Sequence, residues 1–458
     1  MKPWMTIFLA ALLVGLPLSV TAASEEEDLF GEGASTVAPS GTAEASSGTS
    51  SDLAGRFLGD EAKLQWTGDL QYTGVSKWKD ASPDLTQVLS FELGISARPD
   101  RDVRVGGKGK WSYDPGTGQA KVNVSEAFGD FQGGDKLYFR VGKQFVQWGR
   151  GFFYSPADVL NLTAIDPSDP TAVREGPISF KATLEEGDAG SYQSVVTANQ
   201  IAKGDDVSFA GQGTWLLFGS EVSVGGYYQP SQKRAPRLFL TTGFNLFGVN
   251  FYTESVVLTD NDERRLEAAG PGVAVAKKTS GWVTQQTVGF TVSWDDPDKR
   301  FSVATFGQYY YNGTAAKDIN LYHERRTAIQ PLIASGALTT GDLRNFGTHY
   351  VAGSVAVNKI AGTTLSVSDT FRASLSEESW VQTPRLQWVA DPSLTLGAES
   401  SWYRGPKNSE YSPLGDTAQW LFDAVLFDKL TLAVSGPLPG STDLIYPTLQ
   451  VKLRGMTF

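Results

Sequence analysis

The chain carries two histidines and no cysteine among 458 residues. Catalysis through a general base would fall to His323 or His349, and each lies at or beside one long segment, 313–346. His323 runs directly into Glu324-Arg325-Arg326, with no Ser or Asp motif beside it. A base needs an orienting partner and a nucleophile within reach, so the sequence points away from an enzyme. The two histidines are also too far apart to suggest a metal pair, and no thiolate is available to join them. Asp260-Asn261-Asp262 is acidic enough to attract calcium weakly but lacks the spacing of a calcium loop. No cofactor is expected.

The residue types that remain are charges set within strands. A net charge of -11 disfavours nucleic acid as a partner, because phosphate binding needs a basic surface. Arg104, Lys108, Arg140 and Gln144 recur on one phase of an alternating pattern, and Arg150 follows shortly after. Asp158, Asp166, Asp169, Arg174 and Glu175 crowd the segment that comes next. Opposed charges across a narrow aqueous passage would orient polar solutes and tune ion selectivity. Turn chemistry competes as an explanation at Asp158 and Asn161, since both residue types close turns without any further role.

The elements positioning these charges follow from a period of two. Leu64, Trp66, Leu70 and Tyr72 share one face, while Gln65, Thr67, Asp69 and Gln71 share the other. Leu89, Phe91, Leu93 and Ile95 repeat the pattern, as do Leu137, Phe139 and Val141, and later Val288, Phe290, Val292 and Trp294. Such alternation marks strands with two unlike faces. About 20 such strands follow one another over nearly 400 residues, which exceeds one soluble core and shows no fixed repeat. Short segments rich in Gly, Pro and Asp separate them: 98–101, 132–135, 295–298, 390–393 and 427–429. With the first strand running outward, all of these fall at one end. The three longest connections, 149–176, 260–282 and 313–346, fall at the other. That is the parity of a transmembrane barrel. Tyr309-Tyr310-Tyr311 and Trp402-Tyr403 sit where aromatic girdles would lie.

The ends of the chain fit the same reading. Lys2, the apolar run from Ile7 to Val20 and the small residues Thr21, Ala22 and Ala23 have the layout of a cleaved signal peptide, residues 1–23. Residues 24–60 are polar and rich in Ser, Gly, Ala and Thr, which predicts a disordered tail and no internal plug domain. An energised receptor with a folded plug is therefore disfavoured. The expected fold is all-β: a single antiparallel transmembrane barrel of about 18–20 strands over residues 61–458.

Val141-Gly142-Lys143-Gln144-Phe145-Val146-Gln147-Trp148-Gly149-Arg150-Gly151 leads into Ser155-Pro156-Ala157-Asp158-Val159-Leu160-Asn161. This segment resembles the strand and loop of several Gram-negative outer-membrane porin-like families. The terminal Phe458 is similar to the aromatic end that the barrel-assembly machinery reads, and a bulge at Gly455 would bring it into the apolar phase. The resemblance implies a channel for passive diffusion of small polar or charged solutes, with residues 149–176 folded inward as its constriction. The lipid of the outer membrane and the solutes are its expected partners, and a flat apolar outer patch would serve a homo-oligomer. A fatty-acid-type channel would want an apolar lumen, against the charges on the inward phase. The other reading is a non-transporting barrel serving as scaffold or receptor for a protein or surface polymer. A clogged lumen beneath large ordered outer loops would favour it.

Overall fold

The computed structural model describes residues 63–79, 82–100, 102–162, 165, 167, 174–187, 190–198, 207–231, 234–270, 272–275, 280–298, 300–391, 394–412, 417–426, 430–435 and 448–454. The expected signal peptide, the tail at 24–60, the turn at 427–429, Gly455 and Phe458 lie outside the described residues.

The wall begins with β1 (Lys63–Lys79), β2 (Ser82–Asp100), β3 (Val103–Asp114), β4 (Gln119–Gln132) and β5 (Leu137–Lys143). It continues through β6 (Ile178–Glu185), β7 (Ser191–Ala198), β8 (Val207–Leu217), β9 (Ser220–Tyr228), β10 (Arg237–Leu246) and β11 (Val249–Asp260). A separate hairpin, β12 (Leu266–Ala269) and β13 (Gly272–Val275), forms its own two-stranded sheet. Then come β14 (Ser280–Asp295), β15 (Ser302–Asn312), two short helices, α1 (Asn320–Glu324) and α2 (Arg326–Ala334), and β16 (His349–Asn358). The wall ends with β17 (Leu365–Ser374), β18 (Ser379–Asp391), β19 (Leu394–Arg404), β20 (Thr417–Leu426), β21 (Leu430–Ser435) and β22 (Thr448–Arg454).

Twenty of these strands form one sheet, and β1 pairs antiparallel with β22 from Gln71↔Arg454 to Lys77↔Thr448. The sheet is therefore closed, which leaves no unpaired edge. Connections alternate in length as the parity argument requires. Two-residue turns join β8 to β9 and β10 to β11, while 144–177, 261–279 and 313–348 span the opposite end. Both short turns are Phe-Gly, with positive φ at Phe218, Gly219, Phe247 and Gly248. This is the twist that a two-residue hairpin favours. Phe is a poor residue for that conformation, so in each turn only the glycine carries the usual turn chemistry.

The two faces separate as the period predicts. Val122, Phe180, Phe209, Leu238, Val288 and Trp388 are exposed on the outside, where a bilayer would cover them. The aromatic runs divide between faces, because neighbouring residues in a strand point opposite ways. Tyr309 and Trp402 are exposed outward, whereas Tyr310 is buried and Tyr403 packs against the same inner cluster.

One glycine in the wall is dictated by geometry. Gly142 in β5 has φ +127, and a Cβ there would lie 2.1 Å from the Ala127 carbonyl oxygen. Gly142→Ala is expected to destabilise the barrel by about 2–4 kcal/mol through strain and overlap combined. A lower midpoint in urea-driven unfolding from lipid vesicles checks this; an unchanged midpoint would contradict it.

Candidate functional site

The segment linking β5 to β6 leaves the wall at Gln144, which is fully buried. Its side-chain amide donates to the carbonyls of Arg140 and Ser179, both at 3.3 Å, and its backbone N–H donates to Pro177 at 3.1 Å. These bonds pin the two feet of the loop together. Asn161 closes the next ring: its Oδ1 accepts from the Val146 N–H at 3.2 Å, and its Nδ2 donates to the Val146 carbonyl at 2.7 Å. Arg234, in the connection from β9 to β10, donates to the carbonyls of Val159 (3.0 Å) and Asn161 (3.4 Å) and so ties the loop to a second outer connection.

Beyond its base the loop reaches Glu254 on β11, whose side chain is wholly buried. The carboxylate accepts from the backbone N–H groups of Arg150 (2.5 Å), Gly151 (2.5 Å) and Ala157 (3.0 Å), and from the Ser155 hydroxyl at 3.1 Å. Such a close approach needs bare backbone. A Cβ at Gly149 would fall 1.7 Å from Ser155 Oγ, and one at Gly151 would fall 2.0 Å from the Tyr154 carbonyl oxygen. The tip continues to β14 and β15. Gln308 Oε1 accepts from the Phe153 N–H at 2.9 Å, Gln308 Nε2 donates to the Tyr154 carbonyl, and Thr287 donates to that carbonyl at 3.2 Å. Strand β15 is eight ladder steps from β5 around a wall of twenty, so the loop crosses the lumen.

Apolar burial reinforces these bonds. Val146, Trp148, Ala157, Val159 and Leu160 pack on Val195, Tyr227, Phe239, Val256 and Leu258 of the inner wall. Phe153 and Tyr154 pack on Tyr310, Tyr350, Val381 and Tyr411. Each fully buried large side chain contributes roughly 1.5–3 kcal/mol, enough in sum to keep the loop docked. The inward phase is thus not uniformly charged, as the sequence suggested: beneath the loop it is aliphatic and aromatic.

The residues expected to oppose one another across a passage are instead paired with near neighbours. Asp158 has a side chain only 3% exposed and is held by Arg174 of the same loop. Glu175 pairs with Lys143 at the loop's foot, and Arg150 pairs with Glu221 on β9. Arg140 makes a two-pronged bond to Asp130 at 2.5 and 2.9 Å and lies 4.1 Å over the Phe128 ring. Lys108 pairs with Glu92 at 2.9 Å, and Arg104 donates to Ser96 at 3.0 Å. Asp166 and Asp169 lie outside the described residues. Confinement explains the pairing, since a charge removed from water needs its counter-charge within hydrogen-bond reach. In the acidic turn after β11, Asp262 accepts from Arg237 and, at 2.7 Å, from the Ala235 N–H.

Sequence reasoning missed Glu254, Gln308, Glu221 and Tyr154. The one available signal was Ser255-Val256-Val257-Leu258, where both phases turn apolar and imply packing on both faces.

Above the loop sits a cap built from 261–275 and 313–346. Leu266, Leu321, Tyr322, Ile329, Leu338 and Phe346 form its core. Arg265 ties it by donating to the carbonyls of Thr314 (2.9 Å), Asp342 (3.3 Å) and Asn345 (3.1 Å). His323 does have a carboxylate partner, Glu377, at 2.6 Å. Both Glu377 oxygens accept from the Glu410 N–H, at 3.2 and 3.3 Å. Glu410 in turn accepts from the Asn345 N–H and the Tyr350 hydroxyl, both at 2.8 Å. Tyr411 meets the Tyr154 hydroxyl, which joins this cluster to the loop in the lumen. Burial pushes the Glu410 carboxyl up to about 7, with the neighbouring Glu377 carboxylate acting in the same direction.

No known protein family matches this sequence, and no curated protein resembles it closely enough to be matched. Solved structures do resemble it. OccAB1 of Acinetobacter baumannii is 12% identical, with a TM-score of 0.45 over 87% of this chain and 98% of that one. OccK2 of Pseudomonas aeruginosa, solved in complex with glucuronate, is 8% identical, with a TM-score of 0.44 over 87% and 98%. Wzi of Escherichia coli, a carbohydrate-binding β-barrel involved in group 1 capsule assembly, is 12% identical, with a TM-score of 0.44 over 84% of each chain.

Two outcomes follow from this geometry. Glu254→Ala strands three backbone N–H groups and should weaken loop docking by roughly 3–5 kcal/mol. Added protease should then cleave within 149–162 while the barrel stays folded; resistance equal to wild type would contradict the anchor. Glu410 is raised from its ordinary 4.5 to about 7, so its contribution is complete below about 4.5 and is lost as pH rises through 7. Hydrogen exchange of cap amides in 313–346 should quicken between pH 5 and 8, beyond the intrinsic rate change, and Glu410→Gln should abolish that excess. An excess that persists in the variant would contradict the assignment.

Proposed function

We propose that the protein is an outer-membrane channel for passive diffusion of small polar or charged solutes. The observation that carries this reading is the part of the inner wall that the loop leaves uncovered. On β2 to β5 the pairs Lys108–Glu92 and Arg140–Asp130 remain partly hydrated, with the Lys108 side chain 40% exposed. Charges held in pairs but still wetted suit a water-filled passage, and they favour ions and dipolar solutes over apolar ones. A barrel of twenty strands is also wider than the sixteen- to eighteen-stranded barrels that leave an aqueous channel. Width therefore remains for a path beside a loop that crosses the lumen. The loop sets the bore, and the local ion pairs fix the charges that line it.

The ordered cap favours a second reading, in which the barrel presents the outer loops to a protein or a surface polymer and conducts little. Its buried core and its ties through Glu377 and Glu410 give it the rigidity that a recognition surface needs.

Single-channel recording from the refolded protein in a planar bilayer tests the choice. Stable conductance steps are expected. Lys108→Glu should move the reversal potential in a salt gradient toward cation selectivity by several millivolts or more. A folded barrel that passes no current would overturn the channel and leave the display reading.

A further inference from the structure

Two hairpin tips share a five-residue pattern. Trp215-Leu216-Leu217-Phe218-Gly219 ends β8, and Phe244-Asn245-Leu246-Phe247-Gly248 ends β10. In each, an outward aromatic stands three residues before a Phe-Gly turn. Both tip phenylalanines adopt a positive φ of 53°. The first position of such a turn favours Asn, Asp or Gly, and Phe is strained there. Neither ring gains packing within the chain in return, since Phe218 is fully exposed and Phe247 is 94% exposed. Strain repeated at two sites and uncompensated inside the chain calls for a cause outside it.

Position says what lies against these tips. Short turns mark the periplasmic end of an outer-membrane barrel. Strand β9 pairs with β10, so the two tips stand two strand spacings apart, about 10 Å. Trp215 Nε1 donates to the Tyr192 hydroxyl at 3.1 Å, and Phe244 stacks on Phe251 at 5.5 Å. These rings form the aromatic level at the lower edge of the apolar band. Three residues of strand tilted by about 40° descend roughly 7–8 Å from that level. The headgroup layer on one side of a bilayer is about 5–8 Å deep, so the tips lie within its reach. Leu216, Leu217 and Leu246 are exposed between the two levels, which makes the apolar surface continuous from the lipid-facing band to the tips. Charged residues occupy the other described periplasmic turns, among them Asp135, Lys136, Asp298 and Arg300.

We propose that Phe218 and Phe247 are a paired anchor whose rings enter the boundary between headgroups and acyl chains in the periplasmic leaflet. The partner is a lipid surface, held by ring burial and not by charge. Phe and Leu side chains sunk about 5–10 Å into that boundary are what hold interfacial segments on a membrane. Asn-Gly would make a better turn and a worse anchor, which accounts for Phe at both tips. The assignment requires the outer-membrane setting but not conduction. Strands β8 to β11 are also the sector whose inner face carries Tyr227, Phe239, Glu254 and Val256, on which the lumen loop is docked. The anchor thus fixes from outside the sector of wall that the loop grips from inside.

The chain lacks cysteine, which makes the test direct. Phe218→Cys and Phe247→Cys are each labelled with a nitrobenzoxadiazole fluorophore in the full chain, and Asp135→Cys in the β4–β5 turn serves as control. The proteins are folded into phosphatidylethanolamine and phosphatidylglycerol vesicles whose lipids carry a nitroxide high on the acyl chain. Quenching at both tips at least twice that at Asp135→Cys is expected. Quenching equal to the control would overturn the proposal. A second variant, Phe218→Asn with Phe247→Asn, carries no label and improves the turns themselves. Turn chemistry alone would raise its midpoint for urea unfolding from the same vesicles, whereas loss of the anchor lowers it. A lower midpoint is expected, and one that holds or rises would overturn the proposal. Tips left unquenched in vesicles but shielded from aqueous iodide in whole outer membranes would overturn it in favour of a periplasmic protein.

Discussion

Glu254 sits on the inner face of a barrel strand and takes hydrogen bonds from three backbone N–H groups and a hydroxyl of a loop that begins six strands away. An acceptor that satisfies several donors at once holds backbone in a way that scattered contacts do not, because moving the loop would strand all of them together. The loop's conformation follows from this. Gly149 and Gly151 are bare because the carboxylate and the Tyr154 carbonyl must come close. Trp148 and Leu160 then face the aliphatic inner wall, and Tyr154 reaches the far side. Without the anchor the apolar side chains of the loop would still favour the wall, but the backbone of Arg150, Gly151 and Ala157 would lose its common acceptor.

From the loop the dependence runs outward. Tyr154 meets Tyr411, whose neighbour Glu410 holds Tyr350 and Asn345, and Glu377 holds His323. Two buried carboxyl groups in one cluster raise each other's affinity for protons, which places a titrating joint between the cap and the element that narrows the lumen. The order of the outer end is therefore coupled to the order of the interior. The ion pairs along β2 to β5 stand apart from this cluster and remain wetted. Among the described residues, the inner wall beneath the loop is packed like a protein core, whereas β2 to β5 carry wetted ion pairs.

Much of this was legible in the sequence. The alternation of Leu89, Phe91, Leu93 and Ile95 gave their outward phase, the spacing of turns gave the strand parity, and the resemblance to porin-like families implied a loop folded into the lumen. Period two does not tell which wall residues a loop will cover: the doubly apolar stretch at Val256-Val257-Leu258 hinted at packing on both faces, but Phe239 was indistinguishable from residues in any other strand. Nor does it reveal a distant partner. Asp158 looked available for an opposing wall, yet Arg174, sixteen residues on, claims it. Glu254 gave no local sign at all, because its donors are about a hundred residues earlier in the chain. The Phe-Gly hairpins escaped because a single Gly after Phe is a weak signal in a chain where Gly also falls within strands.

The central claim is that the segment 144–162 is a fixed part of the interior, held by Glu254, and not a mobile outer loop. Hydrogen exchange on the folded wild-type protein in lipid, resolved to single amides, tests it most directly. The account predicts that the N–H groups of Arg150, Gly151 and Ala157 exchange as slowly as those of the neighbouring wall strands. Exchange at the rate of free backbone at those three positions would contradict it.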